Sequence, residues 1–193
     1  MTFFTHSFSG VIVLCFEVFM MSPMQKIIGQ WLYSLKHFVF MCLLLSSPQR
    51  LPYSPYPILL TGFAYFVIGL MLVEEERGYG VICAQILLEM AMLGSIVYVG
   101  LRAKDSLSRW LQTFTALIGV NVVTTVVSIP FYYLSIDNEA SNYILVLYFI
   151  QIWNMAVLSL IFKRAFEIST QLSAVISFTY FVVYIFIVFW LFH

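Results

Sequence analysis

Five apolar runs, each 16 to 25 residues long, follow one another from residue 58 to residue 192 with only short polar loops between them. They are Ile58–Val73, Gly80–Leu101, Trp110–Leu134, Tyr143–Phe162 and Gln171–Phe192. About 20 apolar residues in a helix cross the hydrocarbon of a bilayer. Loops this short force neighbouring spans to run antiparallel. The chain is 62% hydrophobic and only 9% charged, against about 25% charge in a soluble domain. Lipid is therefore the solvent for most of it. The expected fold is all-α, a polytopic transmembrane bundle of five spans preceded by an N-terminal interfacial helix. Residues 1–57 form the N-terminal region and 58–193 the bundle.

Segments before residue 58 read differently. Val11–Met21 is too short to span and carries Glu17; no Lys or Arg precedes it and no small-residue cleavage site follows. Met21 and Met24 are alternative starts, and residues 8–21 or 31–47 stay open as an additional span. Gln25–Ser47 begins polar and turns apolar, with Lys26, Lys36 and His37 ahead of Phe38–Leu45. That mixture suits a helix in the interface or half inserted. Ser46–Pro57 holds four of the six prolines. It is expected to be a stiff, extended linker, because proline fixes φ and removes backbone donors.

Eight of the nine Lys and Arg residues fall on one side of the five-span layout; only Arg77, beside Glu74–Glu76, falls on the other. The positive-inside rule then places the amino terminus in the cytoplasm and the carboxyl terminus outside, in what is expected to be a bacterial inner membrane. Trp110 anchors the basic face, and Tyr79, Tyr132, Tyr133, Tyr143 and Trp190 the opposite one.

The costly residue is Glu89. A charge at the centre of a lipid-spanning helix costs roughly 2.5–3.5 kcal/mol on insertion scales and marks a functional-site candidate. Counted at 1.5 Å per residue, Glu89, Asn121 and Asn154 all lie roughly 15 Å deep, the midplane of a core about 30 Å thick. Gln85 stands one turn from Glu89, and Gln151 shares a face with Asn154. These five residues form the candidate intramembrane polar site. Further stripes run through Asn121, Thr124, Thr125 and Ser128, through Ser173, Ser177, Tyr180 and Tyr184, and through Thr61 and Tyr65; for the Ser and Thr positions, interhelical packing is the ordinary role. Glu89 reads either as a neutral packing partner or as a group that changes protonation or binds a cation.

Several chemistries find no residues. Cys15, Cys42 and Cys83 show no paired spacing, so neither a disulfide framework nor zinc is indicated. His6, His37 and His193 lie outside the five runs, which leaves haem ligation, HExxH zinc chemistry and a Ser–His dyad unsupported. The Glu74–Arg77 run does not have the spacing of the EExxxR motif of membrane CAAX proteases. No phosphate-binding glycine loop is present, and no basic stripe suggests nucleic acid. No catalytic residue or cofactor is expected.

The segment Leu51-Pro-Tyr-Ser-Pro55, the preceding amphipathic stretch and the five tight spans resemble small bacterial membrane proteins. Their layout is similar to the YIP family. The resemblance runs from Leu35 onward and implies a role in membrane organisation; the family's Asp-Leu-Tyr-Gly-Pro signature is not present. The expected function is a non-enzymatic organising or accessory factor for other membrane components, with the bilayer, other membrane proteins or further copies of itself as partners. The alternative is a proton- or cation-linked carrier using Glu89.

Overall fold

The computed structural model describes residues 23–71, 78–137 and 141–192. The segment at residues 8–21, Cys15, His6, His193 and the Glu74–Arg77 run lie outside the described residues. Six α-helices carry the fold: α1 Pro23–Cys42, α2 Pro55–Met71, α3 Tyr79–Arg102, α4 Trp110–Asp137, α5 Ser141–Phe166 and α6 Thr170–Phe192. Among the described residues there is no strand. Four helices, α3 to α6, are long and apolar enough to cross a membrane; α2 is a shorter apolar helix.

The hub is α4. Over half of its most apolar window (56%) is buried, against 22% for α5, 17% for α3 and 11% for α6. It packs against α1, α2, α3 and α5, while α6 lies against α5. The residues that let it do so are small or smoothly apolar: Ala116, Leu117, Ile118 and Val120 are fully buried. Gly119 makes the closest approach. A Cβ there would meet the Phe38 ring at 2.5 Å, so α1 reaches α4 only because the side chain is missing. Gly100 plays the same part for Phe166.

The chain from Leu51 through the end of α2 follows α4 over most of its length. Gln112 near the start of α4 donates to the Leu51 carbonyl at 2.7 Å, and Tyr133 near its end donates to the Met71 carbonyl at 2.8 Å. The stretch between them on α4 is about 30 Å long at the helical rise. Pro55 and Pro57 belong to the first turn of α2 rather than to the linker. A helix start has no use for their missing donors. The linker itself holds a 3₁₀ turn at Pro48–Arg50 between extended residues Ser47 and Leu51.

The first helix enters the bundle and the chain turns back. Phe38 sits against Gly119, and Cys42 and Leu43 flank Val123, Val127 and Trp153. The end of α1 therefore reaches the mid-depth of α4 and α5. It closes with a Schellman turn: Leu45 N–H bonds to the Phe40 carbonyl and Leu44 N–H to the Met41 carbonyl, both at 2.8 Å. Leu44 takes the left-handed position, φ 66°, where glycine is usual and a branched side chain costs about 1 kcal/mol or more. Two side chains of α5 hold the returning backbone. Trp153 Nε1–H donates to the Cys42 carbonyl at 3.0 Å, and the Arg164 guanidinium donates to the Ser46 and Leu44 carbonyls. Irregular backbone survives at membrane depth only when protein covers its polar groups in this way.

Gly119→Ala is expected to displace α1 and to cost about 1–3 kcal/mol, the usual range for overpacking. Phe38→Leu in the same chain should recover part of that loss. Equal unfolding midpoints for the wild type and the glycine variant in detergent would refute the close approach.

Candidate functional site

The midplane layer exists, and each of α2 to α6 supplies one side chain to it. Glu89, half-buried on α3, receives three hydrogen bonds. Tyr65 O–H on α2 donates to Oε2. Asn121 Nδ2–H on α4 donates to Oε1 at 3.2 Å, and Tyr180 O–H on α6 donates to Oε1 at 3.4 Å. Asn154 on α5 extends the chain by donating to Asn121 Oδ1 at 3.2 Å. The partners of the carboxyl are neutral donors from three other helices. A carboxylate can accept from all three, and a protonated carboxyl can also donate to one.

Helical periodicity explains why these side chains meet. On α4, Asn121, Thr124, Thr125 and Ser128 lie along one face; the hydroxyls of Thr124 and Ser128 satisfy themselves on backbone carbonyls one turn back, at 2.9 Å and 2.8 Å. On α6, Ser173, Ser177 and Tyr180 are all buried. Ser173 pairs with Ser159 at 3.1 Å and Ser177 donates to the Met155 carbonyl at 2.9 Å, so these two serines fasten α6 to α5. Tyr184 stacks on Tyr180 with ring centroids 6.2 Å apart.

Around the network lie two cavities. A small chamber of about 40 Å³ touches Glu89, Asn121, Gln151, Asn154 and Tyr180, room for about one water molecule. A larger cavity of about 420 Å³ begins at Tyr65 and Glu89 and continues past Asn121, Thr124, Thr125 and Ser128. That order on α4 leads away from Arg109 at its start, so the cavity extends toward the end of the bundle opposite the basic loops. Asn154 Oδ1 is buried beside the chamber without a hydrogen-bond partner in the protein.

Of the five residues picked out by depth, Glu89, Asn121 and Asn154 are joined by hydrogen bonds, and Gln151 lines both cavities. Gln85 is not brought to the carboxyl; its buried Nε2 has no partner. Beside it Gly69 packs on Ile86, so α2 presents no polar side chain at that level. The structure adds Tyr65 and Tyr180, both visible in the sequence as members of polar stripes. What singles them out is that each sits at the depth of Glu89 on its own helix. Among the described residues no group of three or more His, Cys, Asp and Glu could hold a metal ion.

The fold and this layer define a multi-pass helical membrane protein with an acidic centre. No protein-family model matches the chain, and no curated protein or solved structure is significantly similar to it. The likeness of its layout to the YIP family has no support from these comparisons.

If Tyr65 and Glu89 are partners, Tyr65→Phe should cost about 1 kcal/mol of unfolding free energy in the wild type, near the upper half of values for polar pairs in membranes. In a Glu89→Gln background it should cost less than half as much. Strictly additive losses in this double-mutant cycle would separate the two residues.

Proposed function

We propose that the chain crosses a bilayer five times, with the basic end in the cytoplasm, and that it is a carrier binding a proton or small cation at Glu89. The observation that supports this reading is the 420 Å³ cavity, lined in part by hydroxyl and amide groups, that runs from the carboxyl toward the end of the bundle opposite the basic loops. A purely architectural glutamate needs donors but no vestibule. Here the hydroxyls of Thr124 and Ser128 line space rather than a helix contact. Tyr65, Phe181 and Tyr184 surround the same space, and aromatic faces favour cations.

Crossing by α2 is supported by the path of the chain from Leu51 to Met71, the linker end and α2 together, which follows α4 from Gln112 to Tyr133. On this reading α1 is a re-entrant helix, and the exposed Lys36 reaches back to the basic interface as long side chains do. A reporter fused after His193 is expected to be active only outside the cytoplasm; cytoplasmic activity would mean an even number of crossings.

In vesicles containing the purified protein, a proton gradient followed with a pH-sensitive dye and sodium uptake followed with a tracer test the carrier directly. Glu89→Gln is expected to slow at least one of these fluxes tenfold or more. A second reading, an organising factor for other membrane proteins, draws on the lipid-exposed faces of α3 and α6, the least buried of the four long apolar helices. If Glu89→Gln leaves both fluxes unchanged, the carrier is lost and the organising reading stands.

A further inference from the structure

We propose that the outward face of α3 binds one two-chain anionic phospholipid, with its phosphate at Arg102 and Lys104. The inference does not rest on the carrier reading. Ala91 and Ser95, exposed and one turn apart, form a low ridge on α3 with a furrow on each side. One furrow, about 520 Å³, lies between α3 and α6 and is walled by Met92, Ile96, Val175 and Val183. The other, about 640 Å³, lies between α3 and the start of α4, walled by Tyr98, Trp110 and Phe114. Two furrows flanking one ridge match two acyl chains.

Two of the polar groups lining these furrows, Ser95 and Trp110, are already satisfied, and the exposed Thr179 is the one other hydroxyl-bearing residue beside Tyr98 and Tyr180. Ser95 Oγ–H donates to the Ala91 carbonyl at 2.7 Å, and Trp110 Nε1–H donates to the Gly94 carbonyl at 3.2 Å. An occupant therefore finds apolar walls and no unsatisfied hydrogen bond at either group, which suits hydrocarbon and not a polar solute.

Charge identifies the headgroup. The second furrow ends at Tyr98, whose hydroxyl accepts a hydrogen bond from Arg102 Nη1–H at 3.0 Å. Three other basic residues at this end are engaged: Arg109 with Glu167 at 2.8 Å, Lys163 with the Thr170 hydroxyl at 2.7 Å, and Arg164 with backbone carbonyls; Arg50 is exposed but lies on the 3₁₀ turn, away from both furrows. Arg102 and Lys104 are exposed, and among the described residues neither has a carboxylate partner. Asp105 follows them and leaves the pair with a net positive charge. Basic side chains directly beyond an apolar furrow between membrane helices are the arrangement that retains anionic lipid.

The test is native mass spectrometry of the full chain in detergent, titrated with dioleoyl phosphatidylglycerol or dioleoyl phosphatidylcholine. The wild type is expected to retain one phosphatidylglycerol in preference to phosphatidylcholine. Arg102→Gln with Lys104→Gln should lower that preference about 30-fold, the combined effect of two juxtamembrane cations. Arg50→Gln, an exposed charge at the same end but on the 3₁₀ turn packed against α4 and α5, should leave it unchanged. Ser95→Leu, which raises the ridge, should weaken retention of both lipids while leaving the preference intact. Inorganic phosphate at millimolar concentration should not displace the lipid. Equal retention of the two lipids by the wild type, or an equal loss in the Arg50 variant, would overturn the site. Unchanged helical circular dichroism in each variant keeps these outcomes separate from misfolding.

Discussion

A carboxyl group at the mid-depth of an apolar bundle has to be given hydrogen bonds by something other than water, and this requirement organises the molecule. Glu89 draws its donors from three neighbouring helices, Tyr65 from α2, Asn121 from α4 and Tyr180 from α6, and Asn154 ties α5 to the same set. Individual bonds of this kind contribute about 0.6 kcal/mol on average. Their weight here lies in specificity. Apolar faces packed in lipid tolerate many rotations and shifts of one helix on another, whereas a network with one member per helix is satisfied by a single arrangement. The cavity beside it leaves open space next to a carboxyl whose hydrogen bonds are already made.

A second constraint acts where the chain turns after α1, beside the middle of α4 and α5. Carbonyls exposed by a turn inside an apolar bundle are costly unless protein covers them. Trp153 and Arg164, eleven positions apart on α5, cover it from two levels. One helix thus serves both devices: Asn154 faces the polar network while Trp153, its neighbour in sequence, faces the turn after α1. Adjacent residues on a helix point about 100° apart, so this is the geometry by which α5 separates the two sites.

Much of this was legible from residue spacing. The long apolar runs mark α3 to α6, and a plain count of depth brings Glu89, Asn121 and Asn154 to one level. Tyr65 and Tyr180 were harder to single out because tyrosine is common at membrane interfaces and serves there as an anchor; only the antiparallel packing of α2 on α3, with Gly62 against Met90 and Gly69 against Ile86, puts Tyr65 opposite the carboxyl. The same packing sets Gly69 against Ile86, beside Gln85, so α2 offers Gln85 no polar partner, which same-face spacing on α3 alone does not reveal. The turn at Leu44 was not legible at all. No glycine marks its left-handed residue, and the carbonyls it exposes are matched by Arg164, 120 positions later.

The contribution of Tyr180 has a consequence for how the molecule is made. Ribosomes deliver helices in order, and of the five that supply the polar layer α6 comes last. Until it docks, Oε1 of Glu89 has Asn121 as its one interhelical donor, and the chamber between Asn121, Asn154 and the carboxyl lacks its Tyr180 wall. The acidic centre is completed by the last of its five helices to leave the ribosome, so a chain interrupted before residue 180 carries an unfinished polar site.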